Sequence, residues 1–340
     1  MEAIRLKRVT EAEPSSIKLD LLDKKLLFAL SNDARLPLSS LAKQLRHSRD
    51  TLQYRLQSLL KKGIIQRFIP LVDLTVFGFN TFHVFLVVDE AKQDLLKGLM
   101  QAIIEHPNTK AVMEYTGVWE IEWILIAQSV QVFDNILNDI TSKYGECILE
   151  KQKIEIIQGY KSEQLPRKLY TGITPQKKKM NVKAVFDEKD IELLKALAKD
   201  ARQSSYELAS LLSLAPNTVR YRLKQLEQSG VIRKYSFVAN LAKLDYHWYS
   251  VGIKVKTLTL KDEQKLKTFV DSHPYILRAV KVLGPFDLLF NIATESLRDF
   301  HLTLKEFQSL FSNIIVSYHS LIGYQEHIFE PIPKVLRSLK

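Results

Sequence analysis

Ser48-Arg49-Asp50-Thr51-Leu52-Gln53-Tyr54-Arg55-Leu56-Gln57-Ser58-Leu59 reads as one amphipathic helix, and the chain contains it twice. Its register returns 167 positions later as Ala215-Pro216-Asn217-Thr218-Val219-Arg220-Tyr221-Arg222-Leu223-Lys224-Gln225-Leu226. Leu52, Leu56 and Leu59 fall at i, i+4 and i+7, the spacing of a single buried stripe. Ser48 is a good N-cap for this helix, and Gly63 closes it. Upstream, Asp20 and Asp23 precede Leu26, Leu27 and Leu30, an acidic helix start followed by an apolar stripe ending near Asn32-Asp33. A second helix is expected from Leu38 to Leu45, and Arg46-His47 make a short turn into the third. Ile64 to Ile69 is rich in β-formers and takes the place of a wing. Three short helices with a tight turn before the third, then a strand, make a winged helix-turn-helix, whose third helix fits the major groove.

The repeat extends well beyond that helix. Residues 19–68 align without a gap to 186–235 with 19 identities. Between the helical units lies a different block. Apolar strands are expected at Phe82 to Val88, Lys110 to Tyr115, Trp119 to Ala127 and Ile148 to Ile157, with helices at Gln93 to Glu105 and around Phe133 to Ile140. This β-α-β-β-α-β order is ferredoxin-like and returns in the second half. The expected fold class is therefore α+β: two winged helix-turn-helix domains alternating with two ferredoxin-like domains. The boundaries read as a tail at 1–18, helical domains at 19–68 and 186–235, ferredoxin-like domains at 69–160 and 236–330, a basic linker at 161–185, and a tail at 331–340.

Charge follows the same division. The chain of 340 residues carries a formal net charge of +11. Residues 19–68 and 161–185 each carry +6, and residues 69–160 carry −7. A basic module beside an acidic one points to a polyanion that meets only part of the chain. A single cysteine, Cys147, excludes a disulfide framework. No apolar run approaches a membrane span and no leader pattern is present, so the expected setting is cytoplasmic, without membrane. No Walker loop, dinucleotide fingerprint, nucleophile elbow or HExxH motif occurs. The expectation is a protein that is not an enzyme, with no cofactor and no metal.

The candidate DNA face is Ser48, Arg49, Asp50, Thr51, Gln53 and Tyr54, with Pro216, Asn217, Thr218, Arg220, Tyr221 and Lys224 as counterparts. Arg forks onto guanine, and Asn or Gln pairs with adenine edges; the alternative is a solvated helix face. Arg55 and Arg222, beside the buried stripe, hold a phosphate or brace the helix with their stems. Arg67, Arg233 and Lys234 are phosphate candidates on the wing strands, and the Lys177-Lys178-Lys179 run could reach a DNA backbone. A second candidate site is the pair of glycine turns Gly117 and Gly284, each followed three positions on by an acid, Glu120 or Asp287. Uncovered amides beside an acid could hold the charged groups of an amino acid; the alternative is a hairpin turn with an exposed acid.

Taken in order, Leu19-Asp20…Asp23 and Phe186-Asp187…Asp190, the Asp-Ala-Arg triplets at 33–35 and 200–202, the Leu-Ala pairs, the Arg-Leu of the third helix, Gly63-Ile64-Ile65 and the Gly-x-aromatic-acid turns resemble the Lrp/AsnC (feast/famine) transcription regulators. The resemblance spans about 19–160 and 186–325. It implies a winged helix-turn-helix followed by a RAM effector domain, RAM domains paired through their sheets, and further homo-oligomer assembly. It also implies a small effector, usually an amino acid, near Thr116, Gly117 and Glu120 and near Leu283, Gly284 and Asp287. The chain departs from the family in carrying two copies, in Glu120 where Asp is usual, and in Ala215 where an N-cap Ser is usual.

The expected function is a sequence-specific regulator binding double-stranded DNA as an intrachain pseudo-dimer on unlike half-sites. The alternatives are a sirohaem decarboxylase-like tetrapyrrole enzyme, which the same two-domain fold also serves, and an architectural DNA-wrapping protein.

Overall fold

The computed structural model describes residues 6–10, 17–170 and 186–338. The first copy runs α1 (Leu21–Asn32), α2 (Leu38–Leu45), α3 (Arg49–Lys61), β1 (Ile65–Val72), β2 (Asn80–Val88), α4 (Gln93–Glu105), β3 (Thr109–Thr116), β4 (Ile121–Ala127), α5 (Val130–Tyr144) and β5 (Ile148–Ser162). The second repeats it as α6 (Glu188–Lys199), α7 (Ser205–Leu212), α8 (Pro216–Gln228), β6 (Ile232–Ala239), β7 (His247–Val255), α9 (Leu260–Ser272), β8 (Ile276–Leu283), β9 (Leu288–Thr294), α10 (Leu297–Leu310) and β10 (Ile315–Phe329). These elements sort into two compact units by type rather than by copy. One holds both sets of three helices with β1 and β6; the other holds both ferredoxin-like sets.

In the helical unit each helix start is fixed locally. Asp20 accepts from the Asp23 amide at the head of α1, and Asp187 and Asp190 form a reciprocal capping box at the head of α6. The strand after the third helix does not turn back on itself. β1 pairs antiparallel with β6 of the other copy, from Ile65 opposite Ala239 to Val72 opposite Ile232. A lone strand leaves its ladder groups unpaired, and the duplicated strand supplies the partner.

The Asp-Ala-Arg triplets close this exchange. Asp33 and Asp200 each accept from the amide of their own arginine, Arg35 at 3.0 Å and Arg202 at 2.8 Å. The buried alanines donate across copies, Ala34 to the Tyr235 carbonyl and Ala201 to the Phe68 carbonyl, at 3.1 and 3.0 Å. The arginines cross as well: Arg35 donates to the carbonyls of Ala201 and Gln203, and Arg202 to that of Ala34. Arg35 also lies over the Tyr235 ring and Arg202 over Phe68. Each copy thus holds the first helix of its twin.

The other unit is a closed eight-stranded barrel in the order β10-β3-β4-β2-β5-β8-β9-β7. Within it β3-β4-β2-β5 and β8-β9-β7-β10 are the two ferredoxin-like sheets. The long last strands join them. β5 pairs with β2 up to Glu155 and with β8 from Glu155 to Ser162. β10 pairs with β7 up to Ile322 and with β3 beyond it. The RAM-like halves therefore pair within one chain. A buried polar cluster lies inside the unit: Glu122 binds His83 and the Tyr115 hydroxyl, both at 2.6 Å. Burial pushes Tyr115 well above the usual phenol range, and Glu122 adds to it.

Three segments differ from the sequence expectation. Residues 6–10, expected in a loose tail, are packed, with Leu6, Arg8 and Val9 buried. Their amide and carbonyl groups bond along β10, the Phe329 and Glu326 amides donating to Leu6 and Val9. The second tail also carries buried residues, Ile332 and Leu336. The start of the expected linker is folded too: β5 runs to Ser162, and Lys161, Leu165 and Leu169 are buried. Each of these segments is too short to show a period by itself and is ordered by a distant partner. The Lys177–Lys179 run lies outside the described residues.

One buried pair sets a pH dependence. His273 caps α9 and is 4% exposed, its Nδ1 accepting from the Tyr275 amide. The Lys161 amine donates to the Val270 and His273 carbonyls at 2.7 and 3.0 Å. Burial, and next the Lys161 charge, push His273 down to about 4. Glu306, 3.5 Å from the imidazole, is largely exposed and too well solvated to reverse this. Between pH 6.5 and 4 the unfolded chain takes up a proton that the folded chain refuses. Stability is therefore full above that window and lost as pH falls through it, by about 3 kcal/mol. His273→Gln should flatten this part of a urea-midpoint profile against pH.

Candidate nucleic-acid interface

α3 and α8 each present a buried stripe and an open face. Leu52, Leu56 and Leu59, and likewise Val219, Leu223 and Leu226, are buried against their own units. The turn before each helix passes through a left-handed residue, Arg46 or Ser213, which aims the third helix away from the second. On α3 the residues Arg49, Asp50, Gln53 and Tyr54 are exposed, Tyr54 by 72%. Ser48 accepts from the Thr51 amide at 3.1 Å, and their hydroxyls meet at 2.8 Å, so both serve the helix start while staying exposed.

α8 begins differently. Pro216 sits in its first turn, and Ala215 makes no side-chain cap. Asn217, Thr218, Arg220, Tyr221 and Lys224 are exposed. Arg220 donates to Asn217 Oδ1 at 2.9 Å, and its guanidinium lies over the Tyr206 ring of α7. The second face is thus a braced basic cluster, whereas the first mixes Arg49 with Asp50.

Arg55 and Arg222 are not free to hold a phosphate. Arg55 pairs with Asp20 at 2.8 Å and Asp23 at 3.4 Å, and Arg222 with Asp187 at 2.8 Å and Asp190 at 3.0 Å. Each arginine ties the third helix to the start of the first. The Asp23 amide foremost, and the Arg55 guanidinium with it, hold Asp20 below the usual carboxylate range. The bracing alternative is the one the geometry favours. The sequence carries a signal for it, because the same Asp-x-x-Asp and Arg recur in one register in both copies. Arg67 and Lys234 lie half-buried on the β1–β6 ribbon, opposite Val238 and Leu71. Arg233, the third wing-strand candidate, is exposed and pairs with Asp73.

The glycine turns sit where the two copies meet. Gly117 and Gly284 have φ of 147° and 148°, a region that side chains rarely adopt. A Cβ on Gly117 would touch the Leu321 side chain at 3.0 Å, and one on Gly284 would meet the Lys153 carbonyl at 2.7 Å. Each turn is therefore packed against the long strand of the other copy. Glu120 accepts from the Val88 amide at 3.1 Å and Asp287 from the Val255 amide at 2.8 Å. Both acids are half-buried and finish the ends of β2 and β7, which favours the hairpin alternative for these two residues. Thr116 and Leu283 are exposed on the turn rims.

The winged helix-turn-helix DNA-binding family matches residues 19–66 and 186–233. The regulatory protein AsnC of Haemophilus influenzae is 27% identical over 148 residues, covering 43% of this chain and 97% of the relative. The transcriptional regulator LrpC of Bacillus subtilis is 29% identical over 117 residues, 33% of this chain and 76% of the relative. The chain is similar to the AsnC/Lrp-type regulators and carries the winged helix-turn-helix twice. Its duplication explains why a relative of nearly full length covers less than half of it. The crystal structure of the siroheme decarboxylase NirDL shares the fold over 93% of this chain and 96% of that chain, with a TM-score of 0.61 and 13% identity. No helix among the described residues is long and apolar enough to cross a membrane.

Proposed function

We propose that this chain is a sequence-specific DNA-binding transcription regulator that acts as a pseudo-dimer on two unlike half-sites. One observation carries the reading: α3 and α8 expose unlike polar faces, and crossed contacts between the copies bind them into one unit. A homodimer presents one face twice and suits a palindrome, with half-sites about 34–36 Å apart or a multiple. Here Gln53 stands where the other copy has Arg220, Asp50 where it has Asn217, and Gln57 where it has Lys224. On this reading the contact set is Arg49, Asp50, Gln53 and Tyr54 with Asn217, Thr218, Arg220, Tyr221 and Lys224. Arg55 and Arg222 act as positioning residues.

The same reading assigns a small amino-acid effector to the turn rims at Thr116, Gly117, Leu283 and Gly284, with Glu120 and Asp287 holding the turns in shape. The fold likeness to NirDL supports a second reading, a tetrapyrrole enzyme. Against it, His83, Arg8 and His327 each already engage a carboxylate of this chain, Glu122, Glu326 and Glu114. A Soret shift on sirohaem titration would favour the second reading.

The regulator reading is tested by the salt dependence of binding to genomic fragments. Phosphate contacts release counterions, so affinity should fall by about a hundredfold or more between about 50 and 200 mM salt. Affinity that stays level across that range would rule out DNA as the partner.

A further inference from the structure

Arg8 is one of three buried residues in the N-terminal segment, and it sits in a cage. Its guanidinium forks onto the Glu326 carboxylate, with Nε 3.0 Å from Oε1 and 3.1 Å from Oε2 and a further bond from the terminal nitrogen. The Phe329 ring lies 4.1 Å from the guanidinium carbon and the Trp248 ring 5.1 Å from it. Glu326 is fully buried, and Trp248 and Phe329 are 4% and 5% exposed. A planar cation between aromatic faces and a bidentate carboxylate is the chemistry that separates guanidinium from ammonium. The occupant is held by a short stretch of backbone, through the Leu6, Arg8 and Val9 carbonyls and the Arg8 amide.

We infer that this cage is a binding site for a small alkylguanidinium, such as the side-chain end of free arginine, which the chain fills in cis with Arg8. The tether gives Arg8 an effective concentration in the millimolar range or above, so an outside ligand competes poorly with the intact segment. Removing the occupant leaves a buried carboxylate without its forked hydrogen-bond partner, with the charge of the nearby Arg278 still acting on it, and a free guanidinium can restore those bonds. Ligand and docked segment exclude one another, so occupation from outside would release residues 6–9 from β10. The inference is independent of the DNA reading, because its test reads stability alone.

The experiment measures the thermal unfolding of the full chain carrying Arg8→Ala, with methylguanidinium chloride at about 20 mM, against equal methylammonium or sodium chloride. Arg8→Ala should melt several degrees below the parent. Methylguanidinium should recover half of that loss or more, methylammonium much less, and the double variant Arg8→Ala/Glu326→Gln should respond to neither. Arg8→Lys, which keeps a charge opposite Glu326, decides the matter if Arg8→Ala does not fold, and should also be stabilised selectively by methylguanidinium. Equal effects of the two cations, or an equal response without Glu326, would overturn the site.

Discussion

Replacing Arg35 and Arg202 together by alanine lowers the stability of the chain by about 4 kcal/mol, read as the shift in urea unfolding at constant slope. The figure follows from the bonds that the two substitutions remove. Three charge-assisted bonds run from these arginines to carbonyls of the other copy, and each guanidinium also covers an aromatic ring there. The groups are half-buried, so about 1 kcal/mol per bond and somewhat less per ring contact is appropriate. The carbonyls of Ala34, Ala201 and Gln203 lose donors in the same step. Arg202 is held below the usual guanidinium range, by burial first, yet it remains a cation at any working pH. A second effect separates this from simple destabilisation. Under conditions where the double variant is still folded, its affinity for a two-half site should fall about tenfold or more, while affinity for a single half-site is unchanged. The crossed arginines fix the orientation of α3 against α8, and only a site that engages both helices senses that orientation.

Much of this organisation is legible in the chain because its signals are local. Leu52, Leu56 and Leu59 share a helical stripe, Ser48 caps that helix, and Asp20 and Asp187 open the first helices, each signal lying within a turn or two of what it acts upon. The repeat makes the ferredoxin-like order readable twice. What is not legible is non-local. Nothing in Ile64 to Ile69 shows that its partner is Ile232–Ala239 rather than a hairpin arm. The far half of β5, beyond Glu155, pairs only with the other copy, so the strand reads as ending early when taken alone. Arg8 meets a carboxylate 318 residues away. For Arg55 and Arg222 the sequence carries both readings. Their pairing with acids 32 residues upstream selects the brace over the phosphate contact.

The second large effect concerns the unlike helices. Alanine at Arg220 and Lys224 together should weaken binding to the preferred site by about a hundredfold, taking about 1–3 kcal/mol for a specific base contact and less for a phosphate contact. Alanine at Arg49 and Gln53 should weaken it by about tenfold. The difference follows from the faces themselves. Arg220 is held ready by Asn217 and Tyr206, and the acid on its stripe, Glu227, lies seven positions on, while Arg49 stands next to Asp50. Each pair should relax sequence preference in one half of the site only. Both variants should keep the parent melting temperature, because all four side chains are exposed.

On the proposed function, one chain reads DNA with two unlike helices locked into a single unit. Selection of binding sites from a random duplex pool, followed by footprinting at one chain per duplex, tests it most directly. The expected result is a two-part site whose halves differ in sequence, each protected in the parent and lost separately in the α3 and α8 variants. A perfect inverted repeat, with both halves weakened equally by either variant, would contradict it.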